Sequence, residues 1–135
     1  RFYERLDPAV FVLRLVPGMR ADIIPLLAPH YRALVLESFG VGGLPGGEHG
    51  EMFAALRRWC ESGRLAVFTT QVPHEGCDLA VYEVGRAVGE LSGVLEARDM
   101  TPEAVAVKLM WALGQTEDRE KAARLFETPI EYDIM

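Results

Sequence analysis

The chain has 135 residues, half of them apolar and a quarter charged, the composition of one ordinary globular domain rather than a disordered segment. Fourteen basic against twenty acidic residues give a net charge of −6, which repels phosphate backbones and argues against nucleic-acid binding. There is no polybasic membrane patch, and the longest apolar stretches reach only about half the length that a bilayer-spanning helix needs.

Two cysteines, Cys60 and Cys77, are too few for a disulfide framework and fit no metal-ligand spacing, so a reduced, cytoplasmic setting is expected. No signal peptide opens the chain, because Arg1, Glu4, Arg5 and Asp7 break any hydrophobic region there. The sequence starts abruptly in RFYERLDPAVFVL without Met, and we expect it to be a piece of something longer.

In chain order, residues 10–16 (VFVLRLV) predict a first strand, stopped by Pro17-Gly18. Residues 21–27 predict a short helix, with Pro25 tolerable only near its first turn. Ala33–Ser38 (ALVLES) predicts the second strand. Met52, Phe53, Leu56, Trp59 and Cys60 then recur at helical spacing, with Arg57, Arg58 and Glu61 on the other face and Gly63 as a C-cap. Leu65–Thr70 (LAVFTT) predicts the third strand, residues 79–88 a helix, and residues 94–97 (VLEA) a weaker fourth strand. Thr101-Pro102-Glu103 reads as an N-cap, a proline at the first helical position and an acid beside the positive helix end. The helix they open, 102–113, is apolar almost all round and should be buried, with Gly114 ending it. Thr116 should cap a last amphipathic helix over 117–126.

Three of the four strands are near-continuous apolar runs, as in a parallel sheet covered on both faces, and each crossover exceeds the dozen or so residues that a parallel connection requires. The expected fold is therefore α/β: a three-layer α/β/α arrangement with a four-stranded parallel sheet and flanking helices, Rossmann-like, in a single domain over 1–135.

In such sheets ligands bind beyond the carboxyl ends of the strands, where residues 17–22, 38–51 and 71–78 would converge. The glycine-rich loop GVGGLPGGEHG lacks the Lys-Ser/Thr of a phosphate loop, and the dinucleotide fingerprint breaks at Pro45. Its glycines are better explained by a backbone that passes close to another surface. His30, His49 and His74 are scattered over separate loops with no two-ligand helix spacing. Thr69 and Thr70 have no neighbouring Lys or Asp to activate a hydroxyl, and a His74–Cys77 thiolate pair lacks an orienting third residue. Glu75, Asp78 and Glu83 form an acidic cluster in which Glu83 and Arg86 have the spacing of a solvated helical pair and Asp78 suits an N-cap. The residues thus describe a domain with a ligand-competent edge and no complete catalytic set.

Taken in order, VFVLRLVPGMRADIIPLL, LVLESFGVGGLP, TTQVPHEGCDLAVYEVGR and LEARDMTPEAVAVKLMWALGQT resemble the smaller C-terminal domain of bacterial L-asparaginases of the cytoplasmic, type I branch. The resemblance covers nearly the whole chain. It implies hydrolysis of L-asparagine to L-aspartate and ammonia with no metal or organic cofactor, by threonine nucleophiles that lie in a larger N-terminal domain not found in these residues. It also implies homo-oligomers in which the C-terminal domain completes a neighbouring subunit's site, with residues 1–9 as an interdomain linker.

Two substrate-binding positions follow from the resemblance. Gly43 stands where periplasmic relatives carry an asparagine after the GVG motif, so a backbone role carries over. Glu83, in YEVG, matches a glutamate that some relatives present to the substrate's amino group. Some type I enzymes bind asparagine at an allosteric site through an arginine and a cysteine; Glu37 and Val72 match those positions here, so that contact set is missing. The alternatives are a stand-alone α/β binding or oligomerisation module, and the asparaginase-like subunit of an archaeal tRNA-dependent amidotransferase.

Overall fold

The computed structural model describes residues 5–16, 18–38, 50–70, 91–97 and 100–128. Four strands, β1 (Val10–Arg14), β2 (Ala33–Ser38), β3 (Leu65–Thr70) and β4 (Val94–Glu96), form one sheet in the order β1-β2-β3-β4. All three pairings are parallel. This is the expected architecture. The helix expected over 79–88 lies outside the described residues.

Two apolar layers sandwich the sheet. Leu34, Leu36, Ala66 and Phe68 face α1 (Ile23–Leu27) and α2 (Glu51–Glu61), joined there by Ile24, Met52, Leu56 and Trp59. Ala33, Val35, Leu65 and Val67 face α3 (Pro102–Gln115) and α4 (Arg119–Glu127), with Leu109, Ala112, Ala122 and Phe126. The alternation of the pleat thus sends successive residues of β2 and β3 into different cores, which is why both strands read as unbroken apolar runs. Edge strand β1 is covered less completely, and Val12 is 42% exposed.

Several boundaries differ from the expected ones for visible reasons. β1 stops at Arg14, although Leu15 still donates its amide to Glu37 O at 2.8 Å and is fully buried. α1 starts at Ile23, so Pro25 sits in the first turn, where its missing N–H costs nothing. β4 ends at Glu96, and the Ala97 amide keeps one bond to Phe68 O. Gly63 has φ +90° just beyond α2, where only glycine is unstrained.

Two corrections concern the C-terminal helices. Gly114 does not end α3, which continues to Gln115. A Cβ at Gly114 would lie 2.5 Å from the Arg5 carbonyl oxygen, so this glycine serves a close backbone approach. The cap of α4 is Asp118, whose carboxylate accepts from the Glu120 and Lys121 amides, while the Thr116 hydroxyl accepts only from the Asp118 amide. A carboxylate both caps the turn and neutralises the positive helix end.

α3 is also less buried than its composition suggests. Val105, Ala106, Leu109, Ala112 and Leu113 are buried, but Val107 is 59% exposed, and Met110 and Trp111 are half-buried. The buried Lys108 sends its ammonium to Thr128 O at 2.7 Å, over the Phe126 ring.

Candidate functional site

The carboxyl edge of the sheet is where the two long segments expected to carry site residues depart. Residues 39–49 follow Ser38, and residues 71–90 follow Thr70; Ser38 and Thr70 are direct cross-strand partners. Gly43 and Glu83 lie outside the described residues, as do Val72, His49, His74, Glu75, Cys77, Asp78 and Arg86.

Just below that edge the register aligns Arg14, Glu37 and Thr69 in a row across β1, β2 and β3. Arg14 Nε lies 3.5 Å from Glu37 Oε2, and the Glu37 side chain is only 15% exposed. An acid held in an ion pair therefore occupies the position that the resemblance matches to an allosteric arginine. Thr69 is 4% exposed. A threonine this buried reads as part of the sheet rather than as a nucleophile.

Cys60, on α2, is buried, and burial pushes its thiol up to about 11 despite the opposing charge of Arg119. A thiol that stays protonated at neutral pH is a packing group. His30 is exposed after α1. Among the described residues, no group of three His, Cys, Asp or Glu is placed to hold a metal ion, and no helix is long and apolar enough to cross a membrane.

The opposite, amino edge holds three arginines that the sequence pattern did not single out. Arg32, directly before β2, donates to Leu113 O at 3.0 Å and Thr116 O at 3.3 Å beyond the end of α3. Arg64, directly before β3, donates to Tyr31 O and Ala28 O at the end of α1 and lies over the Trp59 ring. Arg119 reaches Cys60 O at 2.7 Å at the end of α2. Each guanidinium donates to carbonyls at or just beyond a helix end, and the Cys60 carbonyl also accepts from the Gly63 amide. The available signal was that Arg32 and Arg64 each stand one residue before a buried strand.

The strand order shows no reversal, so these four strands form no switch-point crevice of their own. The described residues supply an edge, and chemistry there needs groups from elsewhere.

Comparison with known proteins specifies the kind of edge. Residues 9–126 match the model of the glutaminase/asparaginase C-terminal domain. The L-asparaginase of Thermococcus kodakarensis is 39% identical over 133 residues, which cover 98% of this chain and 40% of that protein. A glutamyl-tRNA(Gln) amidotransferase subunit of Metallosphaera sedula is 36% identical over 125 residues, 92% of this chain and 27% of that protein. Among solved structures, the thermostable L-asparaginase from Thermococcus kodakarensis matches with a TM-score of 0.87 at 39% identity, covering 97% of this chain and 39% of that one. L-asparaginase I from Vibrio cholerae matches with a TM-score of 0.82 at 28% identity, covering 96% and 38%. The chain thus spans at most two fifths of the length of these relatives. With fold, order of elements and sequence agreeing over almost its whole length, the chain belongs to the glutaminase/asparaginase C-terminal domain family.

Proposed function

We propose that this chain is the C-terminal domain of a cytoplasmic, homo-oligomeric L-asparaginase that hydrolyses L-asparagine and water to L-aspartate and ammonia without a cofactor. The observation that carries this reading is the 39% identity to an L-asparaginase over 98% of the chain. The domain's role is assembly and completion of a neighbouring subunit's site. Residues 1–9 join it to a preceding domain that supplies the nucleophile.

In this reading the segments leaving Ser38 and Thr70 bring Gly43 and Glu83 to the site. Gly43 contributes backbone, and the Glu83 carboxylate pairs with the substrate's ammonium group. Such a charge-assisted contact fixes the amino acid without taking part in bond making. Water's oxygen replaces the amide nitrogen on the side-chain carbonyl carbon, and the nitrogen leaves as ammonia after gaining a proton.

A second reading, the asparaginase-like subunit of a tRNA-dependent amidotransferase, has its own support in the 36% identity to the Metallosphaera sedula amidotransferase. The net charge of −6 disfavours direct tRNA contact by this domain. The test is ammonia release from L-asparagine by the whole gene product, measured with no other protein chain and no tRNA. Steady turnover supports the asparaginase. Turnover that appears only with a second protein chain and charged tRNA supports the second reading.

A further inference from the structure

The segment before β1 is held to the domain by an unusual density of bonds for five residues. Gln115 Nε2 donates to Arg5 O at 2.9 Å, and the Asp7 amide donates to Met110 O at 2.9 Å. Arg32 Nη1 donates to Asp7 Oδ2 at 2.8 Å while also capping α3 at Leu113 O. The other Asp7 oxygen accepts from the Ala9 amide at 2.9 Å, and Ala9 O in turn accepts from the Arg32 and Ala33 amides. Gly114 completes the arrangement, since any side chain there would strike the Arg5 carbonyl.

The contacts tie residues 5–9 to two places at once: the last turns of α3, through Met110, Gly114 and Gln115, and the start of β2, through Arg32 and Ala33. An isolated surface ion pair would hold little, but Arg32 and Asp7 are each less than a third exposed, the guanidinium also donates to Leu113 O and Thr116 O, and the carboxylate also accepts from the Ala9 amide. We infer that residues 5–9 are a latch, closed by Asp7, Arg32, Gly114 and Gln115, that fixes the entry of the chain on the amino edge of the sheet instead of leaving it a swivel.

The latch sits one strand length, about 17 Å for five residues, from the carboxyl edge where the Gly43 and Glu83 segments depart. Whatever precedes residue 5 is then delivered at a fixed place relative to that edge. That this preceding part is a catalytic domain rests on the asparaginase reading; the latch itself does not, and its test involves no asparagine.

The test is amide hydrogen exchange and nitrogen relaxation on this chain, with Val35 and Leu109 as core references. In the unsubstituted chain, the amides of Leu6, Asp7 and Ala9 should show order parameters like those of β1, and the Asp7 amide should be protected. Gly114→Ala and Asp7→Asn should each speed exchange at Asp7 at least tenfold while Val35 and Leu109 are unchanged. Should Gly114→Ala accelerate every amide through global unfolding, Asp7→Asn decides, because it keeps the size of a partly exposed side chain. An unprotected Asp7 amide in the unsubstituted chain, or no acceleration in Asp7→Asn, overturns the latch.

Discussion

Asp7 keeps its charge further into acid than an ordinary aspartate. Burial pushes its pKa up, but the Arg32 hydrogen bond, the Ala9 amide and the Arg32 charge together outweigh that and hold it below 3.8. A carboxylate with a lowered folded-state pKa stabilises the fold above its unfolded value and loses that contribution as pH falls through the folded one. The other charge facing Arg32 is Glu117, at 3.9 Å and almost fully exposed. The stability difference between the unsubstituted chain and Asp7→Asn should therefore be constant near neutrality and shrink only below about pH 4. Denaturant titrations of both chains at several pH values check this, and a difference that grows on acidification contradicts it. A second residue-scale prediction concerns Glu83. If its carboxylate holds the substrate's ammonium, Glu83→Gln in the whole protein should lower catalytic efficiency about ten- to a hundredfold, the worth of roughly 1.5–3 kcal/mol. Arg86→Gln should change little. Equal, negligible effects in steady-state kinetics would reduce Glu83 to a surface partner of Arg86.

Among the elements, β2 and β3 were legible to the residue, because each is an apolar run buried on both faces that turns polar only in its last two residues, Glu37-Ser38 and Thr69-Thr70. The helix ends were less legible. Gly114 looked like a stop because glycine usually marks one, yet the reason for it comes from Arg5, more than a hundred residues away. Asp118 and Thr116 both suit a cap, and only the backbone geometry decides between them. Gly43 and Glu83 are named only by family resemblance, since they belong to no spacing that physics alone would single out, and both lie outside the described residues. The Arg14–Glu37 pair needed a parallel register that no local pattern shows. Trp59 illustrates what holds α2 to the sheet, since its buried indole N–H donates to Leu65 O at 2.8 Å. Trp59→Phe keeps an aromatic ring but removes this hydrogen bond and part of the buried ring, which should cost about 1–3 kcal/mol in denaturant unfolding. Phe126→Ala, which empties the core under α4, should cost more, about 3–5 kcal/mol. The reverse ranking would mean that packing beneath α4 contributes less than a single buried hydrogen bond.

At the scale of the molecule, the apolar surface left open is informative. Val107 on α3, Val12 on the edge strand and Leu6 in the latch are 59%, 42% and 56% exposed. Large apolar side chains left open in this way fit a domain that meets other domains or subunits. We expect a cooperative thermal transition and a dimer or larger species in sedimentation; a strictly monomeric profile at high concentration would count against that. The isolated chain should release no ammonia from asparagine, because Thr69 is buried and no activated nucleophile accompanies it among the described residues. If this domain completes a neighbour's site, two crippled whole-length variants should complement each other. One carries Glu83→Gln; the other has an intact Glu83 but lacks the nucleophile of its preceding domain. If sites are shared between subunits, mixed oligomers assembled from the two contain some sites with both intact halves, and asparagine turnover should rise well above the sum of the separate variants. Turnover no greater than that sum, in oligomers shown to be mixed, would mean that each site lies within one chain and would contradict the shared-site claim.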